Sequence, residues 1–253
     1  ITGNAPMWQG PAVPEPVDLV IVAVPARFVA DALREAGRHG AKAAIVFSSG
    51  FAETGDAGRA LEAGVIEAAR ESGLRLCGPN CLGLINAFDR VIATFGQFAD
   101  GDTPPGPVGF VTQSGAFGTA IAALARRRGL GLGYFVNTGN EGDVDFGEVM
   151  RMVIADPRIT VGAGYIEGLK DGIGMVALAE EALALGKPLV VTEIVAKTKF
   201  YDFEAKYSDG GSEHVLPAKL PKRIYDEAMD ISVRAHVALG CRGVSCCATC
   251  CTR

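Results

Sequence analysis

Gly106-Pro-Val-Gly-Phe-Val-Thr-Gln-Ser-Gly-Ala-Phe-Gly118 is an apolar strand that runs into a glycine-containing turn and then into a helix. The strand, Val108 to Thr112, has no polar alternation, which is the pattern of a strand covered on both faces in a parallel sheet. The turn at Ser114-Gly115 opens a helix from Ala116 to Arg128. Free N–H groups and the positive helix end then converge on one spot, a ready anion site to which the Ser114 hydroxyl adds a donor. Ser114 is equally an N-cap, with the glycines serving close packing. The strand and helix alone leave both readings open.

Outward from this segment the alternation continues. C-terminal to it come strand Gly133 to Asn137, helix Phe146 to Ala155, strand Val161 to Glu167, helix Ile173 to Leu185 and strand Pro188 to Val191, at intervals that fit βαβ crossovers. N-terminal to it, Gly101-Asp-Thr-Pro-Pro-Gly-Pro107 sustains neither helix nor ladder and marks a domain boundary. Ahead of that boundary lie strand Asp18 to Val24, a helix with Phe28, Ala32, Leu33 and Ala36 on one face, strand Ala43 to Phe47, helix Gly58 to Ser72, strand Leu74 to Cys77 and the turn Gly78-Pro-Asn-Cys81. These are three β-units of a Rossmann-like half.

Composition narrows the class. In 253 residues, 49% hydrophobic and 21% charged exclude a disordered chain, and 33 glycines without a collagen period suit many short strand–helix turns. A net charge of -5 provides no field for a polyphosphate backbone, so nucleic acid is not an expected partner. No apolar run approaches the ~20 residues that cross a bilayer, so no membrane is expected. Of seven cysteines, Cys77 and Cys81 share one turn and the other five, Cys241 to Cys251, crowd the end of the chain. That is not a disulfide framework, and a soluble, cytoplasmic chain is expected. The N-terminus lacks an initiator Met and is read as starting mid-protein.

Three further positions carry candidate chemistry. The turn Gly78-Pro-Asn-Cys-Leu-Gly83 ends a parallel strand, where open α/β sheets bind ligands, so Cys81 lines a site or is a small buried hydrophobe. Glu167 ends the strand Val161 to Ile166 and shares an edge with Ser114 if both strands belong to one sheet; otherwise it is an exposed turn residue. The acidic run Asn140-Glu-Gly-Asp-Val-Asp145 is read as a solvated turn and N-cap cluster rather than a divalent-cation site. His39 and His236 read as surface residues, no metal-ligand spacing exists among His39, His214 and His236, and the terminal cysteines lack the spacing of structural zinc. No metal site is expected.

Five ordered motifs, Pro16-Val-Asp-Leu-Val-Ile-Val-Ala-Val-Pro25, Gly50-Phe-Ala-Glu53, Gly78-Pro-Asn-Cys-Leu-Gly83, Thr112-Gln-Ser-Gly115 and Thr138-Gly-Asn-Glu-Gly-Asp143, resemble the NDP-forming acyl-CoA synthetases, relatives of the succinyl-CoA synthetase alpha subunit. The resemblance spans about residues 10 to 191 and implies an α/β chain: a truncated Rossmann-like CoA-binding domain (1–100), then a flavodoxin-like parallel-sheet domain (107–191). It implies coenzyme A and ATP or ADP as cofactors, a small carboxylic acid or acyl phosphate as substrate and an ATP-grasp beta-type subunit as partner. It maps Asn80 and Cys81 to the CoA thiol end, Ser114 and Gly115 to the phosphate, and Glu167 to support of a phosphohistidine. The family's first strand and glycine-rich CoA loop would precede Ile1, and its phosphorylated histidine would follow Pro188 to Val191; neither is in this sequence.

Thr192 to Ser245, with Glu204-Ala-Lys-Tyr207, instead resembles the middle of a D-alanine-D-alanine ligase. This implies a C-terminal ATP-grasp fragment (192–245) whose Lys206 and Tyr207 close over ATP, with Mg required only where an ATP-grasp domain is supplied elsewhere. Residues 246–253 read as an artefactual or disordered tail. The expected function is acid–thiol ligation of CoA coupled to nucleotide phosphorylation; the alternatives are an ATP-grasp peptide ligase and an inactive CoA- or nucleotide-binding module.

Overall fold

The computed structural model describes residues 17–100, 103–193, 195–196 and 212–213. Among them the chain forms two compact units. The first takes the residues up to Gly83 together with Ala93–Phe95 and Asn137–Asp145; the second takes Leu84–Ile92, Gly96–Val136 and the residues from Phe146 on.

In the first unit, strands β1 (Leu19–Val22), β2 (Ala43–Val46) and β3 (Arg75–Cys77) lie side by side in that order, all parallel. Helices α1 (Val29–Arg38) and α2 (Asp56–Glu71) make the crossovers. Successive right-handed crossovers in one direction put both helices on one face of the sheet. Val29, Leu33 and Ala36 of α1, at helical spacing, close over Val20, Val22, Ala44, Val46 and Leu76, with Val65, Ala68 and Ala69 of α2 completing the core. The start of α2 lies tight against the loop after β2, because a Cβ at Gly58 would collide with the Phe51 carbonyl oxygen. On the other face Leu19 and Ile21 are 38% and 50% exposed.

The second unit is built on a six-stranded sheet of order β5-β4-β7-β6-β8-β9, with β4 (Gly83–Asn86), β5 (Val91–Thr94), β6 (Val108–Thr112), β7 (Leu132–Asn137), β8 (Val161–Ile166) and β9 (Leu189–Glu193). Every residue of β6 is buried, as its unbroken apolar run requires. β6 pairs parallel with β8, and β8 with β9. The chain runs from β6 out to β7 on one side and then to β8 on the other, through α3 (Gly115–Arg127) and α4 (Phe146–Ala155), before α5 (Gly172–Ala184) leads to β9. The order 7-6-8-9 is flavodoxin-like, and its reversal between β6 and β8 is the point where open sheets leave a crevice beyond the carboxyl ends of the strands. α4 buries Phe146, Val149, Met150, Val153 and Ile154 at helical spacing. It packs tightly on β6, since a Cβ at Gly109 would collide with Val153 Cγ1.

The expected strands and helices of residues 107–191 stand within two residues of their observed bounds. β4 and β5 are additional to the expected elements. Only four residues separate them, which allows an antiparallel hairpin and no crossover. Val195–Ala196 (β10) pairs antiparallel with Ser212–Glu213 (β11). The sequence also predicts a helix from about Pro221 to Leu239; that stretch, together with Lys206, Tyr207, His214 and His236, lies outside the described residues.

Two glycines separate packing from propensity. A Cβ at Gly118 would sit 2.7 Å from Thr112 Cγ2 and 3.5 Å from the Phe135 ring, whereas one at Gly64, exposed in the middle of α2, meets nothing within 4 Å. Gly118→Ala is expected to destabilise the chain by about 1–3 kcal/mol through overpacking. Gly64→Ala is expected to stabilise it by about 0.5–1 kcal/mol. Denaturant unfolding of both variants against wild type checks the opposite signs.

Candidate functional site

In the first unit three loops meet at the carboxyl edge of the three-stranded sheet. The turn after β3 takes its shape from Gly78 (φ 99°) and Asn80 (φ 57°), both in the left-handed region. The segment Asn137–Asp143 is zipped onto it. Asn140 N–H donates to the Pro79 carbonyl at 2.9 Å, Gly142 N–H to the Gly78 carbonyl at 2.8 Å, and Leu82 N–H to Asn137 Oδ1 at 2.6 Å. Gly139 (φ 60°) is needed for this approach, since a Cβ there would collide with the Pro79 carbonyl oxygen. Asn80 donates its backbone N–H to the Ser48 carbonyl at 2.9 Å and its side-chain amide to Asn140 Oδ1 at 3.2 Å.

The loop after β2 joins through carboxylates. Glu53 Oε1 accepts the N–H groups of Gly50 at 2.6 Å and Phe51 at 3.1 Å, and Glu53 Oε2 accepts the Asn140 amide at 2.7 Å. Glu62 Oε2 accepts the same amide at 2.7 Å and the Ala52 N–H at 3.2 Å. Burial opposes ionisation of Glu53, but the Asn140, Gly50 and Phe51 donors outweigh it and hold the carboxyl below its ordinary value.

The acidic run is therefore not the solvated turn expected of it. Glu141 is 5% exposed and accepts the Thr138 hydroxyl at 2.9 Å, while Asp143 accepts the Leu76 N–H at 2.8 Å and pairs with Arg75 at 2.9 Å. Asp143 fastens the segment to β3, and Glu141 braces the segment internally. No group of three or more metal-ligating side chains exists among the described residues. Cys81 is 2% exposed, with its sulfur 3.3 Å from the Val46 carbonyl, so its side chain faces the protein and shapes the turn. Its contact with Cys81, together with burial, pushes the Cys77 thiol well above its ordinary value.

In the second unit the switch point holds Ser114, Gly115 and Glu167. β6 and β8 are adjacent and parallel, so their carboxyl ends share one edge. Ser114 caps α3, its Oγ accepting the Phe117 N–H at 3.3 Å, and Gly115 is the first helical residue. The capping interpretation thus holds. The helix start still points toward the edge, because a cap satisfies only part of the first turn's donors. Gln113, a motif residue for which the sequence suggests no role, bridges the two ends. Its Oε1 accepts Glu167 N–H at 2.7 Å and Gly168 N–H at 3.0 Å, and its Nε2 donates to the Gly168 carbonyl at 2.9 Å. The signal that points to it is an amide side chain at the first position past a buried strand, where a carboxamide can continue a ladder. His39, exposed at the end of α1, meets Glu35 Oε1 at 3.1 Å.

The Glu53 network makes a pH prediction. Because the folded value lies below the ordinary 4.5, the stabilisation is fully present above about pH 4.5 and is lost as pH falls through the lower folded value. Glu53→Gln is expected to cost about 1.5–3 kcal/mol at pH 7, the scale of a hydrogen bond to a charged group. The gap between the two proteins is expected to close below pH 4.5. Urea midpoints at pH 7 and pH 3.5 measure both.

Three family models match. Residues 4–87 match a CoA binding domain, 105–199 a succinyl-CoA ligase like flavodoxin domain, and 165–253 the D-ala D-ala ligase C-terminus. The alpha subunit of ADP-forming acetate–CoA ligase I of Pyrococcus furiosus is 35% identical over 179 residues, 71% of this chain and 38% of that protein. D-alanine–D-alanine ligase of Rhodopseudomonas palustris is 58% identical over 64 residues, 25% of this chain and 21% of that protein. Among solved structures, the dinucleotide forming acetyl-coenzyme A synthetase 1 of Ca. Korarchaeum cryptofilum, in complex with phosphate and ADP, is similar with a TM-score of 0.68 and 31% identity over 87% of this chain and 45% of that one. The chain spans under two-fifths of the length of the acetate–CoA ligase subunit it matches. No helix among the described residues is long and apolar enough to cross a membrane. With a CoA binding domain over residues 4–87 and a succinyl-CoA ligase like flavodoxin domain over 105–199, in this order, the chain resembles the NDP-forming acyl-CoA synthetases, and its match to the D-ala D-ala ligase C-terminus, 165–253, overlaps the end of the second domain.

Proposed function

We propose that residues 4–199 are an alpha-type module for acid–thiol ligation of CoA coupled to nucleotide phosphorylation. The observation that carries this reading is the meeting of the Ser114-Gly115 helix start and Glu167 at the ends of the adjacent strands β6 and β8, the switch point of a flavodoxin-like sheet. The helix start takes a phosphoryl group, because its N–H groups and dipole favour an anion there. Glu167 is placed to orient an imidazole carrying the phosphoryl group, a histidine that the 253 residues do not themselves supply directly after β9. The residues at the other edge fit the amide-rich arm of CoA: Asn80 is neutral and uses one amide hydrogen on Asn140, leaving acceptor capacity for a ligand amide. Cys81 acts there through the shape of the turn. CoA, when bound, supplies the thiol that takes the acyl group; a small carboxylic acid or acyl phosphate is the other substrate, and an ATP-grasp beta-type subunit the partner that binds ATP or ADP.

The identity with D-alanine–D-alanine ligase favours a second reading for the C-terminal segment, in which Lys206 and Tyr207 belong to a loop that closes over ATP. We assign the join to the neighbourhood of Val191, inside the stretch 165–199 that the flavodoxin-like and ligase matches share, with the Gly101–Pro107 stretch as the boundary between the CoA-binding and flavodoxin-like domains; the ligase match runs to residue 253 and takes in residues 246–253, which the sequence alone reads as a tail.

Two outcomes test the module. Sulfate titrated into wild type is expected to shift the amides of residues 113–118 at tens of millimolar. Gly115→Val is expected to abolish the response, because a branched Cβ obstructs the backbone. Ser114→Ala is expected to weaken it only modestly, since one neutral hydrogen bond contributes about 1 kcal/mol. A silent wild type, or a valine variant that binds as well, would leave Ser114 as a packing cap alone. Incubation with labelled ATP, or with labelled acyl phosphate and CoA, is expected to leave no acid-labile phosphate on the chain. None of His39, His214 and His236 stands directly after β9, where the family places its histidine. Stoichiometric acid-labile label would overturn this.

A further inference from the structure

We infer that Gln113 is a positioning residue that ties the Glu167 backbone to the Ser114-Gly115 turn, so that an anion settling on the turn is registered at Glu167. This rests on the acyl-CoA synthetase reading of the switch point. The geometry is that of a ladder extended by a side chain. Thr112 and Tyr165 are the last register partners of β6 and β8, and the Gln113 N–H donating to the Tyr165 carbonyl at 3.0 Å is the final main-chain rung. Beyond it the main chain of Gln113 turns away into Ser114, whose carbonyl accepts the Thr112 hydroxyl at 3.0 Å.

The Gln113 carboxamide takes the place of the next peptide. A carboxamide has the donor and acceptor of a peptide group, so it can both accept from Glu167 and Gly168 and donate back to Gly168. One residue therefore has its main chain in the phosphate turn and its side chain on the backbone of the carboxylate. Below this clamp, the Phe117 ring of the first helical turn stacks on Tyr165 of β8 at 4.1 Å, so the turn and the strand end form one braced group. Glu167 N–H and Gly168 N–H are held by a side chain rather than by a neighbouring strand. A change in the turn reaches them through the side-chain torsions of Gln113.

The test uses the full chain and inorganic phosphate, with amide shifts of residues 114–118 and of 167–168 followed together. In wild type both sets are expected to move with one dissociation constant. In Gln113→Ala the 114–118 shifts are expected to persist and the 167–168 shifts to be lost. In Gln113→Glu the carboxylate can still accept the two N–H groups, but it cannot donate to the Gly168 carbonyl and it repels the anion, so affinity for phosphate is expected to fall. A wild type in which 114–118 respond and 167–168 do not would overturn this inference and leave the phosphate turn standing. The inference is equally overturned if 167–168 respond in Gln113→Ala, or if phosphate binds Gln113→Glu as tightly as wild type. Silence at both segments in wild type would overturn the phosphate turn and this inference with it.

Discussion

The turn from Gly78 to Leu82 depends on hydrogen bonds from a segment about sixty residues later in the chain. Main-chain polar groups buried without partners cost on the order of 1–3 kcal/mol each. Here those of the turn are matched by Asn137, Asn140 and Gly142. The same segment gathers the Gly50–Glu53 loop through Asn140, and anchors itself to β3 through Asp143. The left-handed conformations of Gly78, Asn80 and Gly139 persist because the hydrogen bonds of this web hold them. Asn80 is thereby set at the sheet edge by contacts that its own neighbourhood in the sequence does not contain.

What can be read from the sequence follows from how local the causes are. β6 is legible because five residues in a row without polar alternation suit a strand buried on both faces, and α4 because Val149, Met150, Val153 and Ile154 repeat at helical spacing. The placement of Ser114 and Glu167 at one edge requires only that two such strands pair. β4 and β5 are not legible: each is four residues long, and their pairing is a matter of the six-stranded sheet as a whole. The acidic segment misleads because Glu141 and Asp143 are ordinary turn acids until the Thr138 hydroxyl and the Leu76 N–H are known to face them. The role of Gln113 is hidden for the same reason, since its partners are set by the register of β6 against β8.

At the switch point, structural and chemical uses of one residue are compatible because they draw on different atoms. Capping uses Ser114 Oγ as an acceptor for Phe117 N–H. Anion binding would use the hydroxyl hydrogen and the N–H groups at the start of α3. A serine at this position stabilises the helix in the absence of ligand and holds the donors in place for one, which is preorganisation at no cost in new ordering.

The interleaving of the two units in the chain bears on the order in which the protein can be made. The unit containing β1, β2 and β3 also includes Asn137–Asp145, so its last contacts wait until most of the next unit's first strands have been synthesised. Closing so long a loop is entropically slow compared with forming the local βα crossovers that precede it. On an emerging chain the three-stranded sheet and its two helices therefore form first as an unfinished body. Its turn at Gly78–Leu82 stays unfastened until residues 137–145 have emerged from the ribosome.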